Sequence, residues 1–402
     1  MKFSDLGLSE AVLRAVTDAG YSEPTPIQEK AIPHVRAGRD VLGTAQTGTG
    51  KTASFTLPLI DLLSGGRVRA RMPRALILEP TRELADQVAK SFETYGKHNK
   101  LTLALLIGGV AYADQERKLD RGVDVLIATP GRLLDHFERG RVMLGGVQVL
   151  VIDEADRMMD MGFMPDVERI VRMLPPSRQT LLFSATMPPE IRKLASAFLR
   201  DPAEVSVAAS AAPSAMVVQR LVHVAAADKR DALRRLLRTE SVKNALIFCN
   251  RKRDVDSLFR ALAKDRFNVA ALHGDLAQSI RTETLAKFKA GEIALLVASD
   301  VAARGLDVAG MSHVFNYDVP IHAEDYVHRI GRTGRAGLIG HSFTLVTPAE
   351  GKYVAAIERI MGRPIEAAEM PGPGVLKPVD AALPADAALP AEAALIAAPD
   401  IE

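Results

Sequence analysis

Short apolar runs rich in Val, Ile and Leu alternate with longer stretches whose apolar residues recur at helical spacing, and this alternation occupies residues 30 to 207. The runs predicted as strands are Ala75 to Leu78, Leu103 to Ile107, Val123 to Ala128, Val149 to Ile152 and Thr180 to Phe183. Runs that are apolar throughout, not only at every second position, suit strands buried on both faces of a parallel sheet. Strand-then-helix repetition therefore predicts an α/β fold with right-handed crossovers. Residues 208 to 217, small and rich in Ala, Ser and Pro, read as a linker. The alternation then restarts with Ala245 to Cys249, Val269 to Leu272, Ala294 to Ala298, His313 to Tyr317 and Phe343 to Val346, giving a second domain over residues 218 to 365. Residues 366 to 402 carry a six-residue unit that begins at Asp380, Asp386 and Glu392 and is interrupted by proline. Such a segment cannot build a core and is predicted to be disordered.

Two of the breaks between these elements carry chemistry. Ala45 to Thr52 reads A-Q-T-G-T-G-K-T. Gly48 and Gly50 let successive amides curl toward one point, Lys51 adds a positive charge there, and the Thr52 hydroxyl is placed for a magnesium ion. A helix starting near Gly50 aims its positive end at the same phosphates. Ala45 stands where the strict phosphate-loop pattern has glycine. The second break is Asp153-Glu154-Ala155-Asp156, at the end of the apolar run Val147 to Ile152. An open parallel sheet puts its ligand crevice at that end of its strands. Asp153 is placed to hold magnesium through water, and Glu154 to orient and deprotonate an attacking water. Together the two elements point to nucleoside triphosphate hydrolysis over residues 1 to 207, and the second domain has no phosphate loop of its own.

Composition narrows the setting. The 402 residues are 48% hydrophobic, ample for two cores, and the single cysteine, Cys249, excludes an internal disulfide. No apolar run approaches the roughly 20 residues that span a bilayer, so a soluble, cytoplasmic protein is predicted, with no membrane partner. The formal net charge is +2, but residues 366 to 402 hold seven carboxylates and one lysine, leaving +8 on residues 1 to 365. A mildly basic body permits a polyanionic partner.

Further segments accumulate around these two. They are Gly20-Tyr21 with Pro24 to Gln28, Pro80-Thr81-Arg82-Glu83-Leu84, Gly108-Gly109, Thr129-Pro130-Gly131-Arg132 and Ser184-Ala185-Thr186. In the second domain they are Phe248-Cys249-Asn250, His273-Gly274-Asp275, Gln278 to Arg281, Ser299 to Asp307 and His328 to Arg335. From Phe3 to about Arg335 the chain resembles the DEAD-box family of ATP-dependent RNA helicases, and its short N-terminus is similar to the bacterial RhlE-like group. The resemblance implies two tandem RecA-like domains, each a mostly parallel sheet flanked by helices, with ATP and Mg2+ as cofactors.

It also implies roles for residues. Gln28 reads adenine, its amide offering donor and acceptor together, with Phe3 stacking on the base and Tyr21 also at the nucleotide. Ala45, Gln46, Thr47, Gly48, Thr49, Gly50, Lys51 and Thr52 hold the phosphates, and Asp307 takes the ribose. Arg332 and Arg335 act as arginine fingers, which suits a guanidinium fork facing spreading phosphoryl charge. Asp156, Ser184, Thr186 and His328 join the γ-phosphate site to the interdomain cleft. The RNA contacts implied are Thr81, Arg82, Gly109, Thr129 and Arg132, then Asn250, Gly274, Gln278, Arg281 and Ser299, the last replacing the family's more usual threonine. Hydroxyls, amides, glycines and arginines suit phosphate and sugar over base edges, so binding blind to sequence is expected.

The activity implied is RNA-dependent ATP hydrolysis that locally unwinds short duplexes or remodels RNA–protein complexes by domain closure. A DNA helicase shares the tandem plan, and a non-unwinding RNA clamp is the third reading. Glu154, Arg332 and Arg335 speak against the clamp, and the spelling of the motifs favours RNA. Ribosome assembly and RNA decay are both compatible settings, with the core as a monomer.

Overall fold

A computed structural model of the protein describes residues 1–46, 48–66, 69–207, 216–303, 310–334 and 339–369. Thr47, Asp307, Arg335, most of the predicted linker and the repeats beyond residue 369 lie outside the described residues.

The first lobe is a seven-stranded sheet made of β1 (Val41–Thr44), β2 (Ala75–Leu78), β3 (Leu103–Leu106), β4 (Val125–Ala128), β5 (Val149–Ile152), β6 (Gln179–Ser184) and β7 (Ala203–Ser206), in the order β3-β4-β2-β5-β6-β1-β7. The second lobe is a six-stranded sheet of β8 (Val217–His223), β9 (Ala245–Cys249), β10 (Val269–Leu272), β11 (Leu295–Ser299), β12 (His313–Asn316) and β13 (Gly340–Val346), in the order β10-β11-β9-β12-β13-β8. Every pairing in both sheets is parallel. As the continuous apolar runs foretell, β2, β4, β5 and β9 are buried along their whole length. Alternate residues serve opposite faces: Ile77, Val125 and Val151 enter one core cluster of the first lobe, and Leu76, Leu126 and Ile152 the other. The second lobe repeats this, with Ile247 and Val297 on one face and Leu246 and Leu296 on the other.

Three strands were not anticipated. In β1, Gly43 interrupts an already short apolar run, and an added Cβ there would fall within the Phe183 ring of β6. In β7 burial alternates residue by residue, and in β8 it nearly does, with Gln219 and Arg220 breaking the apolar signal. These weakly patterned strands adjoin the region read as a linker, whose last residue, Val217, is the first of β8. The segment from residue 366, read as a disordered tail, also begins differently from expectation. Leu221 of β8 donates to the Glu366 carbonyl at 2.9 Å and accepts from the Ala368 amide at 2.7 Å, so Glu366 to Ala368 run parallel beside β8. This short stretch flanks β8 as β7 flanks β1, closing the edge of the sheet in the same way.

Gly43 sets how β1 meets β6, and β1 delivers the chain into the phosphate loop. Gly43→Val is therefore expected to destabilise the first lobe by about 1–3 kcal/mol, the cost of overpacking a dense core, measured as a lower denaturation midpoint. An unchanged midpoint would show that Phe183 yields freely.

Candidate active site

The strands of the first lobe end in the residues singled out by motif. After β1, Ala45 is buried and donates from its amide to the Ser184 carbonyl at 3.1 Å, tying the loop to β6. Gly48 and Gly50 both have left-handed backbone, φ 86° and 87°, which glycine adopts without steric cost. Thr49 Oγ1 donates to the Gln46 carbonyl at 2.7 Å and braces the turn. The helix Lys51–Leu63 starts directly after Gly50, and no side chain caps it, which leaves its first amides facing the cavity.

Lys51 is the centre of the site. Its ammonium, 4% exposed, lies 2.6 Å from Glu154 Oε1 and 3.1 Å from Asp153 Oδ1. Burial alone would lower its proton affinity, but Asp153 and Glu154 outweigh that and hold Lys51 charged above its ordinary range. Burial likewise opposes the charged form of Glu154, yet Lys51 and Arg157 bring its carboxyl down to about 2. Burial raises Asp153, against the pull of Lys51. Glu154 is thus ionised, the state a base requires. Its backbone is left-handed at φ 54°, unusual for a side-chain-bearing residue and typical of strain retained at working sites. The Asp153 carboxylate accepts from the Glu154 amide at 2.8 Å and helps to hold that geometry.

Asp156 faces the other way. Its Oδ2 accepts from the Ala185 and Thr186 amides at 3.1 and 2.8 Å and from the Thr186 hydroxyl at 2.9 Å, while its own amide donates to Ser184 Oγ at 3.2 Å. β5 and β6 are thereby joined at their ends. Beside this junction lies a cavity of about 260 Å³ shared by the lobes, lined by Glu154, Asp156, Arg157 and Thr186 on one side and His322 and His328 on the other. Burial, then the charge of Arg157, lowers the proton affinity of His328, so it stands there as neutral imidazole.

A larger cavity, about 420 Å³, brings the predicted nucleotide residues together. Phe3, Tyr21, Gln28, Gly48, Gly50, Lys51, Thr52, Asp153 and Glu154 line it from the first lobe, and Arg332 enters from the second. Phe3 is 7% exposed and belongs to the core, whereas Tyr21 is 56% exposed, its ring 6.4 Å from that of Tyr95. The Gln28 amide accepts from Thr25 N at 2.9 Å and donates to the Gly50 carbonyl at 3.0 Å, linking this turn to the phosphate loop. One further donor and one acceptor direction remain on that amide for a base.

The residues expected to touch RNA lie across the mouth between the lobes. Arg82 Nη1 donates to Gln278 Oε1 at 3.1 Å, and its guanidinium packs on Gly108 and Gly109. Thr81 caps its helix by accepting from the Leu84 amide, Thr129 precedes the helix Pro130–Glu138, and Arg132 donates to the Val110 carbonyl. Gly274 is exposed and Ser299 half-buried at the end of β11. Asn250 is turned inward: its Oδ1 accepts from Arg329 at 2.8 Å and its Nδ2 donates to the Val319 carbonyl at 2.9 Å. Arg329 in turn binds Asp300 at 2.6 Å, three residues before Arg332.

Three further side chains at the site had no role predicted from the motifs. Glu83 pairs with Arg281 across the lobes at 2.6 Å, both nearly buried, a contact of charge without hydrogen-bond alignment. Arg157, 3% exposed, has two terminal nitrogens without hydrogen-bond partners and Glu154 at 3.9 Å. Glu79, one residue past β2 and beside Asp153, is fully buried with neither carboxyl oxygen partnered. A charged residue at the C-terminal end of an otherwise apolar strand was the available signal for Glu79.

The DEAD/DEAH box helicase family matches residues 25–194, and the helicase conserved C-terminal domain family matches residues 228–337. The ATP-dependent RNA helicase CshA of Limosilactobacillus reuteri is 46% identical over 362 residues, which cover 90% of this chain and 72% of that protein. Among solved structures, S. cerevisiae Dbp5 bound to RNA and ADP BeF3 superposes with a TM-score of 0.80 at 30% identity, over 92% of this chain and 95% of that one. A DEAD box protein from Methanococcus jannaschii is 39% identical over 92% of this chain and 99% of that one, yet superposes with a TM-score of 0.52.

Burial, then the charges of Asp153 and Glu154, pushes the Glu79 carboxyl well above its ordinary value of 4.5. An acid raised in the folded state holds its proton more tightly there, so it withdraws stability as pH climbs above the unfolded value. Glu79→Gln is expected to be more stable than the parent chain at neutral pH by about 1–3 kcal/mol. Chemical denaturation should show that difference closing as pH falls toward 4.5. A gain that does not vary with pH would contradict the assignment.

Proposed function

Because this chain belongs to the DEAD-box family of ATP-dependent RNA helicases, we propose that it is an RNA-dependent ATPase that locally unwinds short RNA duplexes or remodels RNA–protein complexes by closing its two lobes on ATP and RNA together. The observation that carries this reading is the entry of Arg332, from the lobe without a phosphate loop, into the cavity of Lys51, Thr52, Asp153 and Glu154.

In this reading the triphosphate takes Lys51 away from the carboxylates that now neutralise it. Glu154 is left ionised to orient and deprotonate the attacking water. Thr52 and Asp153, a hydroxyl and a carboxylate facing one cavity, fit a magnesium ion that keeps most of its waters. Among the described residues no group of three His, Cys, Asp or Glu side chains converges as a metal site, which accords with so few protein ligands. The ion, when bound, would supply positive charge against the phosphates. Tyr21 and Gln28 hold the base, Asp307 the ribose, and Arg332 with Arg335 the γ-phosphoryl charge. Asp156, Thr186 and His328 carry the state of that phosphoryl group to the interlobe cavity.

Each ligand touches both lobes, so each favours the closed arrangement and thereby the other ligand. Arg82, Gly109, Thr129 and Arg132 hold the strand on one side, with Gln278, Arg281, Gly274 and Ser299 on the other. Because these groups suit phosphate and ribose, the enzyme serves many RNAs, as ribosome assembly or decay in the cytoplasm would require. Both halves of the site come from one chain, and a monomer suffices.

Arg332→Gln is expected to lower RNA-stimulated ATP turnover by about 10³- to 10⁵-fold, the usual worth of an arginine finger, with a far smaller change in nucleotide affinity. Phosphate-release kinetics checks this, and near-parental turnover would remove Arg332 from the site. In the parent chain, RNA should stimulate turnover strongly and DNA of equal length weakly, since the 2′-hydroxyl separates the two polymers. Equal stimulation would favour a DNA-directed motor.

A further inference from the structure

The ring of Tyr112, at the start of the helix Tyr112–Arg121, lies between two guanidinium groups. Arg132 Cζ is 3.6 Å and Arg139 Cζ 4.0 Å from the ring centroid. Two guanidinium groups that close to one centroid must occupy opposite faces, since on one face they would collide. Arg132 and Arg139 are seven residues apart, the first on the helix Pro130–Glu138 and the second its C-cap. They therefore share one helix face, two turns or about 10 Å apart. Tyr112 is fixed between them by its hydroxyl, which donates to Asp135 Oδ2 at 2.9 Å, and by the His136 ring at 5.1 Å.

Of the two arginines, Arg139 is the one that faces solvent, because Arg132 donates from Nε to Gln115 Oε1 at 3.3 Å and from Nη2 to the Val110 carbonyl. A guanidinium lying flat on a ring keeps its N–H edge available for a phosphate fork. Arg139 is exposed and makes no ion pair among the described residues. The carboxylates around it are already engaged: Asp135 by Tyr112, Glu138 by Arg169 at 2.9 Å, and Glu116 by Arg141 at 3.5 Å. The patch is also continuous with the cleft mouth, because Gly109 packs on Arg82 and the next carbonyl, that of Val110, accepts from Arg132.

We propose that Arg139, stacked on Tyr112 beside the cleft residue Arg132, forms an RNA subsite just outside the cleft, which grips the phosphates of a single strand as it leaves the first lobe. The subsite rests on the RNA-helicase reading above and extends it to nucleotides beyond those held between the lobes. Arg139 supplies the phosphate contact, and Tyr112 holds both arginines in register.

Binding of oligouridylates to the full chain, with a non-hydrolysable ATP analogue present, tests this by fluorescence anisotropy across a salt series. One oligomer just fills the cleft and a second is several nucleotides longer. Arg139→Gln is expected to weaken the longer oligomer about threefold to tenfold and to make its salt slope shallower by about 0.7, as for one lost phosphate contact on a single strand. The shorter oligomer should bind as before. Tyr112→Ala should act in the same direction. If Arg139→Gln and Tyr112→Ala bind both oligomers like the parent while Arg132→Gln weakens both, the subsite is refuted and the RNA reading stands. Failure of the parent chain to bind either oligomer would refute the RNA reading itself.

Discussion

A buried lysine held by two carboxylates is the interaction on which this molecule turns. Lys51 sits within ion-pair distance of both Asp153 and Glu154, almost wholly out of water. Such a charge is tolerable only while it is paired, and leaving it unpaired would cost several kcal/mol. The charge of Lys51 is thus satisfied by Asp153 and Glu154. In the proposed reading a triphosphate would resolve the arrangement without exposing any charge, because it would offer Lys51 new anions. The left-handed backbone at Glu154 and the unpartnered groups of Glu79 and Arg157 mark the stability given up to keep this charge cluster in place.

The second lobe enters through a similar exchange. Arg82 with Gln278, and Glu83 with Arg281, tie the lobes together with the same arginines that suit an RNA phosphate. Arg329 binds Asp300 and Asn250 and lies one helical turn before Arg332. An internal network of ion pairs and hydrogen bonds therefore connects the strand ends of the second lobe to the residue that lines the Lys51 cavity. In the proposed mechanism, closure would assemble the catalytic and RNA sites in one movement, which is the physical content of their coupling.

Much of this was legible in the chain because the chemistry fixes both residue type and place. Amides that cradle phosphates need Gly48 and Gly50, and strands buried on both faces need unbroken apolar runs such as Ala75–Leu78 and Val149–Ile152. What escaped had no local signature. β1, β7 and β8 are short or alternating, and long-range pairing decides them; Glu366 to Ala368 pair with β8 only because an open sheet edge is there to receive them. Glu83 read as part of a motif, and nothing nearby in sequence announces Arg281 as its partner. Gln28 was assigned to the base, but its amide also ties Thr25 to Gly50, a link visible only once the turn lies against the phosphate loop.

The central claim is that Lys51 of one lobe and Arg332 of the other meet around a single triphosphate. A crystal structure with a non-hydrolysable ATP analogue and a single-stranded RNA tests it most directly. The account predicts Lys51 Nζ displaced from Glu154 onto the phosphates, with the Arg332 guanidinium within hydrogen-bond distance of the terminal phosphoryl oxygens. An occupied site in which Arg332 points away from that phosphoryl group, or in which Lys51 stays clamped to Glu154, would contradict it.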